Sequence, residues 1–166
     1  MKRSKLAVIG LGNWLLSDEG TGLHAIESLK ERIHREDVPV KPDVDLVDAG
    51  TPGMNLLHQF DEREKIIFID AGNCGMQPGQ YKRFSPDEAV SVKEVANHSL
   101  HEFDLIRFLD FARQMGKGEE TEVVIYCMQA AGMEMSENLT PTVAKSLPHL
   151  VEDIYNEMKQ GVNHAK

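Results

Sequence analysis

Asp18 and Glu19 stand side by side in GLGNWLLSDEGTG (residues 10–22), directly after the short apolar run Leu6-Ala7-Val8-Ile9. Glycines in that place suggest a phosphate cradle, but adjacent carboxylates repel a phosphate and attract a cation. Asp48 and Asp70 each lie near the end of a further apolar run, and Asn13 sits inside the glycine stretch. The segment NHSLHEFD (97–104) adds two imidazoles, His98 and His101. Carboxylate oxygens with one imidazole nitrogen suit a borderline divalent cation such as nickel or zinc. Fewer than four protein ligands would leave positions open for water or substrate.

Each feature alone has a plainer reading. Acids ahead of a helix sit well on the positive end of its dipole, and a lone H-x-x-H is commonly a cap or a surface pair. Several familiar sites are absent. The dinucleotide fingerprint G-x-G-x-x-G begins with Gly10 and Gly12 but has Leu15 at its third glycine position, and Gly20 and Gly22 come too late for the tight turn. No G-x-x-x-x-G-K-[ST], H-E-x-x-H or G-x-S-x-G occurs, and Ser17 beside two acids lacks a base.

The elements that must position these residues follow from apolar periodicity. Residues 5–10, 44–50, 65–72 and 122–128 read as strands, and 79–85 as an edge strand. Four consecutive large apolar residues at 66–69 place the third strand at the centre of a parallel sheet, buried on both faces. Helices are expected from about Thr21 to Arg35 (Leu23, Ile26, Leu29, Ile33), over the short stretch 54–60, and from about Ser99 to Met115 (Leu105, Ile106, Leu109, Ala112). The last helix opens at Thr140-Pro141 and runs to about Gln160, with Pro148 inside it as an expected kink. Strands alternating with helices give a single-domain α/β fold over 1–166 with a mainly parallel sheet. Ligands of such folds gather beyond the carboxyl ends of the strands, which selects the loops 11–20, 48–53 and 70–78.

The 166 residues carry a net charge of −9. With no run of Lys or Arg, this argues against a nucleic-acid partner. No apolar stretch approaches the roughly 20 residues of a membrane span, and the N-terminal apolar run is too short for a secretory signal. Cys74 and Cys127 lie 53 positions apart. They suggest neither a disulfide framework nor a zinc ribbon, so a reducing cytoplasm is the expectation and both read as small buried or loop residues.

Taken together, these blocks resemble the hydrogenase maturation endopeptidases. GLGNWLLSDEGTG is similar to their signature, roughly G-x-G-N-x-L-x-x-D-[DE]-G-x-G. DAGTPGMNLL (48–57), IFIDAG (67–72), HSLHEFDLI (98–106) and LTPTV (139–143) resemble their later blocks in the same order. The resemblance implies a five-stranded twisted sheet between helices and removal of a C-terminal extension from a nickel-loaded hydrogenase large-subunit precursor. It also implies that Glu19, Asp70 and His98 bind the metal, which is the precursor's own nickel, and it leans to a monomer. Asp18, Asp48, Asn13 and His101 are left as possible supporting residues, Cys74 as incidental, and 128–139 as a segment shaping contact with the precursor. Two other readings use the same rim: a nickel checkpoint or chaperone that binds without cutting, and a flavodoxin-like nucleotide-binding regulator.

Overall fold

The computed structural model describes residues 3–35, 43–96 and 103–161. Five strands form one sheet: β1 (Leu6–Leu11), β2 (Val44–Gly50), β3 (Lys65–Gly72), β4 (Tyr81–Phe84) and β5 (Glu122–Gln129), in the order β2-β1-β3-β5-β4. β1, β2, β3 and β5 are parallel, and β4 closes the edge antiparallel to β5. This is the mainly parallel five-stranded sheet expected from the sequence, with 66–69 at its centre: Ile66, Ile67, Phe68 and Ile69 are all fully buried.

Alternation along the strands divides the core into two layers. Val8, Ile67, Ile69 and Val124 face helices α1 (Thr21–Arg35) and α4 (Pro141–Gln160), meeting Ile26, Leu29, Leu150 and Ile154. Ala7, Ile9, Ile66, Phe68 and Ile125 face the other way, toward the 3-10 helix Met54–Phe60 and the helix Phe103–Gln114. Successive residues point to opposite faces of a strand, so a continuous apolar run is what a sheet covered on both sides requires. α4 continues through Pro148 as one element.

One helix was not anticipated. Pro86–Ala96 forms α2, and Phe103–Gln114 is therefore α3. The start of α2 is a capping box: the Ser85 backbone N–H donates to Glu88 Oε2 at 2.7 Å, and the Glu88 N–H donates to Ser85 Oγ at 3.3 Å. Pro86 occupies the first turn, where its missing N–H costs nothing. The expected helix start near Ser99 lies outside the described residues, and α3 is described from Phe103.

The cysteines also depart from expectation. Cys74 and Cys127 are joined in a disulfide, their Cα atoms 6.7 Å apart. Cys127 lies opposite Asp70 in the β3–β5 ladder, and the turn after β3 carries Cys74 back toward it. Sequence separation concealed this proximity, and cysteine usage therefore does not argue for a reducing compartment. Among the described residues, no helix is long and apolar enough to cross a membrane.

The amino-terminal end of the sheet is held by charge. Lys65, almost fully buried, lies 2.8 Å from Glu157 and 3.2 Å from Glu122. Arg83 donates twice to the same Glu157 carboxylate, at 3.0 and 2.8 Å, and the Tyr126 hydroxyl donates at 2.5 Å. Burial works against the charge on Glu157, but these donors outweigh it and hold the carboxyl down at about 2, from an ordinary 4.5. A depressed carboxyl stabilises the fold above its unfolded value and loses that contribution as pH falls toward its folded value. The shift corresponds to about 3 kcal/mol. Thermal melts of wild type and Glu157→Gln should therefore differ most above pH 4.5 and converge on acidification toward about pH 2. A constant difference across that range would contradict this role.

Candidate functional site at the carboxyl rim

The chain steps from β1 to β2 on one side of the sheet and then to β3 on the other side of β1. The carboxyl ends of β1 and β3 therefore flank the topological switch point, where crevices form in open α/β sheets. Gly10 of β1 pairs with Asp48 of β2 and with Ile69 of β3, so Asp70 emerges one residue past the switch point. The glycine loop returns over the same place and ends in a short 3-10 helix, Ser17–Gly20, that packs against β3.

The glycines serve close backbone packing rather than a phosphate. A Cβ at Gly10 would lie 2.3 Å from the Gly22 carbonyl oxygen, so β1 and the first turn of α1 touch backbone to backbone. Gly12, at φ +138°, would put a Cβ 1.8 Å from the Glu19 carbonyl. That approach lets the Asn13 N–H reach the same carbonyl at 3.3 Å and fold the loop back over the strand end. Asn13 Oδ1 accepts from the Leu15 N–H at 2.9 Å, which is an Asx turn.

Adjacent in sequence, Asp18 and Glu19 have opposite fates. Asp18 is fully buried and its carboxylate is taken up by the 131–140 segment. It accepts from Ala131 N–H (2.8 Å), Gly132 N–H (3.0 Å), Thr140 N–H (2.8 Å) and Thr140 Oγ1–H (2.9 Å). Thr140 makes no side-chain cap on α4, and its hydroxyl donates to Asp18. Around this clamp, Ser17 N–H donates to Ser136 O at 2.7 Å, Ser17 Oγ to Asn138 O at 2.9 Å, and Leu16 bridges Ser136 in parallel. Glu19, half-buried, has a carboxylate that takes no hydrogen bond among the described residues.

Asp70 is half-buried, and its Oδ1 accepts from its neighbour's N–H, Ala71, at 2.8 Å. It opens into a cavity walled by Cys74, Cys127, Leu105 and Ile106, so the first turns of α3 lie beside it. Asp48 stays on the exposed rim and accepts from Trp14 Nε1 at 3.2 Å. Trp14 in turn meets His24 edge-on, ring centroids 4.7 Å apart, and His24 Nε2 is buried with no partner among the described residues. Sequence reasoning assigned no role to Trp14 or His24, since a contact spanning the loop leaves no periodic trace. His98 and His101 lie outside the described residues. Among the described residues, no three His, Cys, Asp or Glu side chains converge as a metal site.

The family model for hydrogenase maturation proteases matches residues 23–157. The chain belongs to that family. A hydrogenase 2 maturation protease of Escherichia coli is 27% identical over 160 residues, covering 94% of this chain and 92% of the relative. A putative hydrogenase maturation protease of Methanocaldococcus jannaschii is 28% identical over 165 residues, 96% and 100% of the two chains. The solved structure of the hydrogenase maturating endopeptidase HybD from E. coli superposes with a TM-score of 0.76 at 26% identity, covering 94% of this chain and 93% of that one. Family and fold thus identify a peptide-bond hydrolase and set aside the nucleotide-binding alternative.

For this maturation protease, Asp18 is the residue whose assignment changes most: a possible site residue in the sequence, a structural clamp in the fold. Each buried donor left without a partner costs about 1–3 kcal/mol. Asp18→Ala orphans three backbone N–H groups at once. It should lower the melting temperature by roughly ten degrees or more, and Asp18→Asn should also destabilise, because an amide NH₂ then faces donors. A melting temperature unchanged in both variants would show that the clamp does not hold the rim.

Proposed function

We propose that this protease removes the C-terminal extension of a hydrogenase large-subunit precursor after nickel insertion, reading the precursor's nickel as the sign that loading is complete. The reading is supported by the family and fold shared with maturation proteases, together with the packing of the 3-10 turn that carries Glu19 against β3, the strand that carries Asp70. A half-buried carboxylate with no hydrogen bond among the described residues, as at Glu19, suits a cation that arrives with the substrate. His98, just ahead of α3, is the expected nitrogen ligand. The metal is then cargo of the substrate, and the protease supplies oxygen ligands without holding an ion of its own.

In this mechanism Glu19, Asp70 and His98 fix the nickel-bearing end of the precursor, and that anchoring positions the scissile peptide beside the crevice. Converting an encounter into a fixed geometry lowers a hydrolysis barrier by several kcal/mol. Water is the attacking group, activated by the bound cation or by a carboxylate acting as base. No serine or cysteine has a nucleophile's setting: Ser17 donates to a backbone carbonyl, and both cysteines are in the disulfide. Cleavage takes place on a protein partner, with neither nucleic acid nor membrane involved, and the protease acts as a monomer in the cytoplasm.

Intact mass of the hydrogenase large subunits in a host lacking this gene tests the reading. One subunit should retain its tail, lose it when the wild-type gene is returned, and keep it with Asp70→Asn, Glu19→Gln or His98→Ala, each variant melting like the wild type. Normal processing by Asp70→Asn would refute the mechanism. A tail lost equally with and without the gene would favour a checkpoint protein that binds without cutting.

A further inference from the structure

Beside the crevice lies an apolar surface that the hydrolytic site does not use. Leu15 is 54% exposed, Met54 65% and Met135 86%. The parallel bridge between Leu16 and Ser136, with the Ser136 N–H donating to the Leu15 carbonyl at 3.0 Å, sets Leu15 beside Met135 on one face. Met54 opens the 3-10 helix Met54–Phe60 just beyond β2, whose last residue, Gly50, pairs with Leu11 at the start of the glycine loop. Large apolar side chains exposed together mark contact surfaces, and methionine is the residue that adapts to a partner's shape.

Charge on the same rim selects the occupant. The rim segments 12–20, 48–55, 70–80 and 129–140 contain no Lys or Arg, although the chain has 18. They contain Asp18, Glu19, Asp48, Asp70, Glu134 and Glu137. Asp18 is consumed inside the clamp. Glu134 and Glu137 are exposed on either side of the Met135–Ser136 pair, and neither makes an ion pair among the described residues. Arg63, Lys65 and Arg83 are paired with Asp45, Glu122 and Glu157 toward the opposite end of the sheet. A rim of one sign with an apolar centre complements a segment of the opposite sign that alternates charge with apolar groups.

We propose that the Leu15–Met135 surface, flanked by Glu134 and Glu137, is a docking site for a lysine- or arginine-bearing, partly apolar segment of the precursor, engaged in addition to the nickel crevice. The proposal rests on the protease reading for the identity of its occupant, and it adds a second point of recognition. Charged rim contacts set the encounter rate and its salt dependence, and the apolar pair sets the residence time.

The test uses the full chain and two short fluorescein-labelled peptides, one of lysine, leucine and serine, the other with glutamate in place of lysine. Fluorescence anisotropy at low ionic strength should show binding of the lysine peptide alone. Glu134→Lys/Glu137→Lys and, separately, Leu15→Ser/Met135→Ser should each weaken it by roughly tenfold or more, while circular dichroism melts stay at the wild-type value. Raising the salt should weaken binding to wild type more than to the charge-reversed variant. Equal binding of both peptides, or lysine-peptide binding unchanged by both double variants, would overturn the proposal. Precursor processing separates the two readings. If wild type binds the lysine peptide in this way but trims no large subunit, the surface stands and the protease reading fails. If wild type trims a subunit and both double variants trim it with unchanged KM, the protease reading stands and the surface is refuted.

Discussion

The active rim depends on one buried carboxylate. Asp18 gathers four donors from two places in the 131–140 segment, which is more than a hundred residues away in sequence. A loop rich in glycine would otherwise sample many conformations, since glycine loses the most backbone freedom on folding. The clamp removes that freedom from the 3-10 turn carrying Glu19, and by the same bonds it ties down the segment bearing Met135. The cost of burying a carboxylate is met because every donor pointing at it would itself be unsatisfied without it.

The close contact of Gly10 with Gly22 complements the clamp from below. Because β1 and α1 meet backbone to backbone at Gly10 and Gly22, the loop between them has no room to relax inward and rises over the strand ends toward β3. A phosphate loop uses glycines to bring backbone amides to an anion. Here the same residue type brings a carbonyl, that of Glu19, back to the Asn13 amide. The loop therefore differs from a phosphate cradle, and its glycines are there for packing.

Much of this architecture was legible in the sequence. Apolar runs of strand length alternate with helical stripes, and a doubly covered parallel sheet is the arrangement that buries both. The helix at Pro86 carries a capping signature in Ser85-Pro86-Asp87-Glu88, but its apolar periodicity is weak and a cap alone does not define a helix. Other features were out of reach for physical reasons. Asp18 and Glu19 are adjacent acids that differ only in which side of a 3-10 turn they leave from, a distinction made by φ +47° at Ser17. Cys127 meets Cys74 because two strands pair in a particular register, and register is a property of the sheet. The contact of Trp14 with His24 and Asp48 joins three segments through side chains, and no local pattern reports such a meeting.

The two ends of the sheet divide stability from function by charge. At the amino-terminal end, Lys65, Arg83, Glu122 and Glu157 compensate one another in a dense network, with Tyr126 donating into it. Such a network resists opening because removing any member strands its partners. At the carboxyl end Glu134 and Glu137 make no ion pair among the described residues, which makes that part of the rim attractive to positive charge. A surface held in that state is compatible with a stable fold only if the scaffold beneath it is stiff. The central strand, fully buried from Ile66 to Ile69, and the Asp18 clamp provide that stiffness. The exposed Glu134 and Glu137 are thus tolerated because the opposite end of the same strands is so fully paired.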